Sequence, residues 1–209
     1  MANENGNAYA LTTLCPLLEV SGEDASPAAL IRDRLHRVNT GASSPMAKVP
    51  NVYFCRFLIL DDVIYESKPY RLEHLKSQYL VFEASLHGKL GPYLYGMWQH
   101  AQPFVRSMWQ FCVGFSEVND AASFTTYIQK CQVKTTFFFN GSTDESLAEQ
   151  LKSLYLKQEF SKFAYAHQGW SAKDLKAAFQ DFIVRVEPTN LARPTWRAGA
   201  TDLKDVVIP

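Results

Sequence analysis

The chain has 209 residues, of which 47% are hydrophobic and 13% aromatic, and its 21 basic and 21 acidic residues cancel. This composition predicts a globular fold with a sizeable core and excludes wholesale disorder. The balanced charge argues against nucleic acid or an anionic membrane as a partner, because both are normally bound by a surplus of basic residues. It also leaves self-association unopposed.

The chain carries no membrane or secretion signal that the sequence pattern reveals. No apolar run approaches the roughly 20 residues that cross a bilayer. The N-terminal stretch MANENGNAY lacks the basic and apolar regions of a signal peptide, so a cytoplasmic location is expected. The four cysteines stand among apolar neighbours, without the close spacing of a zinc or redox pair. Reduced thiols are therefore expected, and no metal site is predicted.

The first half of the chain predicts alternating strands and helices. Runs of β-branched and aromatic residues predict strands, and prolines near the start of apolar periods predict helices. The order is strand, helix, strand, strand, helix, strand, which is the ferredoxin-like βαββαβ arrangement. The predicted strands are Ala8 to Leu17, Val52 to Leu60, Tyr79 to Leu86 and Met108 to Phe115, and the predicted helices run from Ser26 to Asn39 and from Pro92 to about Ala101, where Pro103 should interrupt the second.

The second half predicts mainly helices. A capping box of Ser142 and Glu145 predicts the start of a long helix, and Ser171 predicts the start of another that fades near Val186. The last stretch has the composition of a linker but contains Trp196, so an extended arm is expected. The predicted organisation is a single α+β domain over residues 1–186, with its core at about 8–141, and a C-terminal arm over 187–209. A helix from Asp120 to Val133 and a short strand from Thr135 to Phe139 complete the predictions.

Four stretches resemble a family of largely uncharacterised proteins with the dimeric α+β barrel, or ferredoxin-like, fold. The resemblance covers about Val52 to Leu151, half of the chain, and it implies a homodimer. The wider fold group includes dye-decolourising peroxidases, chlorite dismutase-like haem proteins and small monooxygenases, so the resemblance permits haem or a small organic ligand. The stretches are FCRFLILDD, YLVFEASLHG, WQFCVGF and FTTYIQKCQVKTTFFFNG.

This chain departs from the family pattern at two positions and in one motif. Family members often carry Asp where this chain has His87, and His where it has Cys131. Any chemistry carried by those positions would therefore differ here. The GxxDG motif of the peroxidases is absent, which weakens the haem-peroxidase interpretation.

The predicted site lies on one face of the strand that begins at Tyr79. Strand alternation separates an apolar face, which the helices should cover, from a more polar face that looks into a cleft. Arg56, in the strand Val52 to Leu60, needs a partner or an opening to water, and Glu83 supplies that partner if the register aligns them. The pair is either a structural ion pair or a ligand contact. The candidate ligand-binding residues are Arg56, Glu83, His87, Tyr79 and Ser85.

Two histidines have both a functional and a structural interpretation. His87 follows the strand at Gly88, where an imidazole can act as a general base or as a haem or metal ligand. The alternative is a turn histidine bonded to the backbone. His100 lies near the end of a predicted helix, an ordinary place for a histidine, and haem ligation is the alternative.

No motif in the chain carries a reaction, so no catalytic residue is assigned. Phosphate-binding glycine loops and the GxSxG and HExxH motifs are all missing. The sequence favours a homodimer that binds a small hydrophobic molecule in a cleft on the sheet face. A haem-dependent oxidoreductase, peroxidase-like or monooxygenase-like, is one alternative, and a structural or assembly protein that uses the C-terminal arm is another. No cofactor is evident, and haem rests on the resemblance alone.

Overall fold

The computed structural model describes residues 3–19, 25–63, 68, 73–142, 144–200 and 207–208. Within them the chain is an α+β protein with a four-stranded antiparallel sheet in the order β1-β2-β4-β3. A separate pair of two-residue strands, β5 and β6, follows the helices. The elements are β1 (Glu4–Asn5), β2 (Ala8–Pro16), α1 (Pro27–Arg37), β3 (Val52–Leu60), β4 (Tyr79–His87), α2 (Leu90–Trp109), α3 (Ala121–Cys131), α4 (Leu147–Ala166), α5 (Ala172–Val186), β5 (Thr195–Trp196) and β6 (Val207–Ile208).

Three helix features expected from the sequence are present. The Ser26 hydroxyl caps α1 with Pro27 in the first turn, and Ser171 caps α5 in the same way. In α2 the backbone leaves helical geometry at Ala101, two residues before Pro103, which has no N–H to donate. Among the described residues, no helix is long and apolar enough to cross a membrane.

The strand predicted from Met108 to Phe115 is wrong. Helix α2 continues through Trp109, and beyond it only Cys112 makes an isolated bridge, to Leu17 beside β2. Met108 and Trp109 are fully buried as part of the helix. A short apolar run fits a buried helix end as well as a strand, and packing against the sheet decides between them.

The segment from Thr135 to Phe139 is also not a strand, which overturns the second short-strand prediction. It is held by side chains instead of a backbone ladder. The Asn3 amide donates to the Thr135 hydroxyl at 2.8 Å, and the Asn5 amide donates to the Phe138 carbonyl at 3.2 Å. The segment therefore runs beside the N-terminal residues without extending the sheet.

Helix α4 begins four residues later than the sequence predicts. Its capping box is Ser146 and Glu149, in which the Glu149 carboxylate accepts the Ser146 N–H at 2.7 Å and the Ser146 hydroxyl accepts the Glu149 N–H at 3.3 Å. The predicted cap, Ser142, donates to the Asn140 side chain at 2.8 Å instead. Two consecutive S-x-x-E patterns, at residues 142–145 and 146–149, made the choice ambiguous from sequence.

The described residues bury two hydrophobic clusters. The main one lies between one face of the sheet and helices α1, α2 and α3, with Phe82, Trp109 and Phe124 fully buried. The second lies between α4 and α5 and includes Phe163 and Phe182. Trp196, from the predicted arm, packs against the second cluster, and its indole N–H donates to Gln158 Oε1 at 2.9 Å. The C-terminal helices thus have an apolar core of their own.

Candidate functional site

The face of the sheet opposite the helices is only partly covered in the single chain. Alternation along β4 buries Leu80, Phe82 and Leu86 on the helix side. On the opposite face Phe54 is 68% exposed, and Leu14 and Leu58 are exposed as well. Strand β3 is therefore covered on one face only. We call the uncovered surface the open face, and exposed apolar side chains grouped on one face mark interaction surfaces.

A bulge in β3 decides which residues reach the open face. The register shifts between Val52 and Phe54, so that Val52 pairs with Leu86 while Phe54 pairs with Ser85. Val52 packs against the main hydrophobic cluster as a result. Simple alternation placed Val52 on the same face as Phe54, and the extra residue at the bulge, Tyr53, removes it from that face.

Arg56 and Glu83 form an ion pair on the open face. They are directly opposite in the ladder, and Arg56 Nε donates to Glu83 Oε2. The hydrogen bond and the carboxylate charge raise the pKa of Arg56. The side chains are 68% and 28% exposed, respectively. An exposed pair of this kind contributes little to stability. The pair therefore places two opposite charges, both reached by solvent, among the apolar and neutral polar side chains of the open face.

His87 is bonded to a tyrosine rather than to the backbone. The Tyr53 hydroxyl lies 2.7 Å from the Glu145 carbonyl oxygen and 2.9 Å from His87 Nδ1. The carbonyl can only accept, so the single Tyr53 proton goes to it and His87 Nδ1 must donate to Tyr53. Neutral His87 therefore carries its lone pair on Nε2. Burial, followed by the charges of Asp144 and Glu149, raises the pKa of Tyr53, which keeps the hydroxyl protonated.

A cavity of about 290 Å³ opens at the same end of the open face. Ser85 and Phe54 contribute from the sheet, and Phe138, Phe139 and Asn140 contribute from the segment that follows α3. The side chain of Phe139 is 71% exposed. Aromatic walls with a few neutral polar groups are typical of small-molecule sites.

The N-terminal turn fixes the segment that forms one wall of this cavity. The Asn7 N–H donates to both carboxylate oxygens of Asp144, at 2.8 and 2.9 Å. Gly6 has a φ of +63°, and a Cβ built on it would lie 2.6 Å from Asp144 Oδ2. Only glycine fits so close to the carboxylate in this left-handed conformation. The cavity wall therefore depends on the contact between the N-terminal turn at Gly6 and Asn7 and the carboxylate of Asp144.

The predicted site residues share the open face but do not form one constellation. Arg56 and Glu83 contact each other, and Ser85 lines the cavity. His87 contacts Tyr53 just beyond Ser85. Tyr79 lies at the other end of β4, opposite Leu60, eight residues and roughly 26 Å of extended chain from His87. The predicted site therefore divides into two parts: Ser85 and His87 lie at the end of the open face with the cavity, and Tyr79 lies at the opposite end.

Sequence reasoning missed the aromatic residues that build the cavity. Tyr53 was hidden by the bulge, and Phe138 and Phe139 were assigned to a strand. The run TTFFF followed by Asn140 and Gly141 carried a signal, because three consecutive phenylalanines cannot all be buried by one short edge strand. Exposed aromatics at that point are what the structure contains.

The histidines considered for haem do not line the cavity on the open face. His87 is not among the residues that line it, and the cavity is small. His100 is exposed on α2. Among the described residues, no group of three His, Cys, Asp or Glu side chains is arranged to hold a metal ion. No step of a haem reaction is derived for this chain.

The cysteines near β2 have the environment of structural thiols. All four are free. A hydrogen bond with Cys112, together with burial, raises the pKa of Cys15 to about 11, although the Trp109 indole donates to Cys15 Sγ at 3.3 Å. The pKa of Cys131 is raised by Cys15 and by burial. A raised pKa disfavours the thiolate, so these groups are poor nucleophiles.

Comparisons with protein-family models, with curated proteins and with solved structures find no match. The resemblance to the dimeric α+β barrel family therefore stays a prediction.

Proposed function

We propose that the protein binds a small, uncharged, apolar molecule in the cavity at the end of the open face. The observation that carries this proposal is the exposure of Phe54 and Phe139 around a cavity of about 290 Å³. Leaving large apolar side chains in water costs about 25 cal/mol for each Å² that a ligand would cover. A bound apolar molecule recovers that free energy.

The polar groups around the cavity indicate what the molecule carries. Ser85, Asn140, Ser142 and Gln150 line it, and all four are uncharged. Because the nearby charges of Arg56 and Glu83 neutralise each other, an ionic ligand gains no counter-charge. A flat molecule with one or two hydrogen-bonding groups fits best, since the volume is at the lower end of the roughly 300–1,000 Å³ of ligand pockets.

We also propose that two copies of the chain pair through the open face in the ferredoxin-like, dimeric α+β barrel arrangement. Leu14, Leu58 and Phe54 support this, because each is an exposed apolar side chain on the same face of the sheet. Sheets with apolar faces pack against each other about 10 Å apart. The zero net charge leaves such pairing unopposed. Pairing would close the cavity from the side that is now open.

The ligand proposal is tested with N-phenylnaphthylamine, an uncharged dye that fluoresces in apolar surroundings. We expect the wild-type protein to raise the dye fluorescence saturably. Ser85→Leu fills the cavity, so it should weaken dye binding at least tenfold. The matched control is Ser153→Leu, on the exposed side of α4, which should bind as the wild type does. Equal dye binding by all three proteins would refute the cavity as the site.

The dimer proposal is tested separately by sedimentation. Leu58→Lys places a charge on the open face and should convert a dimer to a monomer, while Leu154→Lys, an equally exposed leucine of α4, should leave it dimeric. A wild-type chain that sediments as a monomer at high micromolar concentration contradicts pairing but leaves the dye result intact.

No described contact favours the alternatives. The haem-dependent oxidoreductase predicts a Soret band when haem is supplied, and our proposal expects none. The assembly protein predicts contacts between the C-terminal arm and a partner, and within the single chain the Trp196 indole of that arm donates to Gln158.

A further inference from the structure

A second cavity lies between α4 and α5. It has a volume of about 610 Å³ and is lined entirely by these two helices and their connection. Phe163 and His167 contribute from the end of α4, Trp170 contributes from the connection, and Asp174 and Asp181 contribute from α5. It shares no residue with the cavity on the open face, so it is independent of the function proposed above.

One wall of this second cavity is aromatic and fixed in position. The His167 ring stacks on Phe163 with a centroid separation of 4.3 Å, and Trp170 meets His167 edge-on at 4.4 Å. His167 Nδ1 lies 2.7 Å from the Phe163 carbonyl, so this nitrogen carries a proton and donates it. Gly169, at a φ of +79°, permits the tight turn that brings Trp170 back. Trp170 is nevertheless 50% exposed.

The part of the lining that α5 contributes is negatively charged. Asp174 and Asp181 are seven residues apart on α5, which is close to two full turns and places both on one side of the helix. Ala177 and Ala178 lie between them and leave space. Asp181 forms no ion pair with any residue that the structure describes.

Arg185, the single Lys or Arg among the described residues of the lining, is already bound. Arg185 donates to Glu159 Oε2 at 2.6 Å, and Glu159 also accepts from Lys162 at 2.7 Å. The two aspartates therefore outnumber the guanidinium at the cavity. An anion would be repelled, and a neutral ligand would gain no Coulomb attraction from the carboxylates.

We propose that this cavity binds a small organic cation of the alkylated ammonium class. Aromatic faces attract cations through the ring quadrupole, and alkylated ammonium groups suit such sites because they shed water readily. The carboxylates of the same lining add Coulomb attraction. The aromatic wall contacts the alkyl groups, while Asp174 and Asp181 balance the charge.

The test uses choline chloride as the probe, at ionic strength held constant with sodium chloride. Binding is followed by saturation-transfer NMR of the N-methyl protons and by tryptophan fluorescence. We expect saturable binding by the wild type and much weaker binding of the uncharged carbon analogue of choline, in which a tert-butyl group replaces trimethylammonium. Because this comparison uses wild-type protein, it does not depend on how any variant folds.

Variants then locate the site. Trp170→Leu should weaken choline binding about fivefold or more, and Asp181→Asn about threefold or more. The matched controls are Tyr165→Leu, an exposed aromatic of α4, and Asp33→Asn, an exposed aspartate of α1, neither of which lines the cavity. Both controls should bind as the wild type does. Equal affinity for the carbon analogue, equal losses in the controls, or no binding at millimolar choline each overturn the proposal.

Discussion

Replacing Lys152 by methionine should destabilise the C-terminal helices substantially. Lys152 lies inside α4 and is only 2% exposed, an unusual position for a lysine. Its ammonium donates to the Val186 carbonyl at 2.7 Å and to the Pro194 carbonyl at 2.8 Å. One side chain thus satisfies the last carbonyl of α5 and anchors the segment that leads to β5. Burial lowers the pKa of Lys152, as expected for an ammonium taken out of water.

The size of the effect follows from these two hydrogen bonds. A buried hydrogen bond to a charged group contributes about 1.5–3 kcal/mol to the free energy of unfolding, and a neutral or partly solvent-exposed hydrogen bond contributes about 1 kcal/mol. The Val186 carbonyl is the buried partner and the Pro194 carbonyl is partly buried. Methionine keeps the apolar stem but donates nothing, so both carbonyls lose their partner. We expect a loss of about 2–4 kcal/mol in the free energy of unfolding.

The assay is guanidinium unfolding followed by circular dichroism, with amide hydrogen exchange along α5 to localise the loss. The control is Lys157→Met, an exposed lysine of the same helix, which should change stability by less than about 0.5 kcal/mol. If Lys152→Met and Lys157→Met unfold at the same denaturant concentration, the two carbonyl contacts do not hold the C-terminal segment and the reasoning fails.

Two further changes test other contacts. Gly6→Ala introduces a side chain at positive φ and against a carboxylate, so it should lower the free energy of unfolding in urea by about 1–3 kcal/mol. The control is Gly91→Ala, in α2, where nothing lies within 4 Å of the added Cβ, and it should be neutral or stabilising. Equal losses of stability in the two variants would contradict the close approach at Gly6. Burial alone would raise the pKa of Glu159, but hydrogen bonds from a lysine and an arginine lower it below 4.5. The stability that ionised Glu159 contributes is therefore complete above its pKa in the unfolded chain. It is lost as the pH falls from there through its lower pKa in the folded chain. The wild-type melting temperature should consequently fall more steeply than that of Glu159→Gln between about pH 5 and pH 3, and parallel curves would contradict the shift.

Local signals in the sequence predicted most of the elements. The strands β2, β3 and β4 and the starts of α1 and α5 lie where alternation, Ser caps and Pro placed them. These signals depend on residues that are close together in the sequence, so they can be interpreted without knowledge of the fold. The failures, at Met108 to Phe115 and at Thr135 to Phe139, are short apolar runs for which distant partners decide the conformation.

The candidate site was predicted only in outline. Alternation gave the faces on which Arg56 and Glu83 lie, but the sequence left open the register that would pair them, and the ladder places them directly opposite each other. The aromatic cavity did not, because it requires the bulge at Tyr53 and the attachment of the segment around Phe138 by asparagine side chains. A bulge has no local marker here, since Val, Tyr and Phe all favour strands.

The sequence by itself determined that the chain folds around a large apolar core, where its main strands lie and which face of β4 is polar. Those properties follow from composition and from the two-residue period of a strand. Tertiary structure decided that the open face stays uncovered in the single chain, that Lys152 is buried beneath two carbonyls and that Trp170 shares a cavity with two aspartates of α5. The first two depend on residues far apart in the chain, and the third depends on how α5 packs back against α4, which a single sequence does not specify.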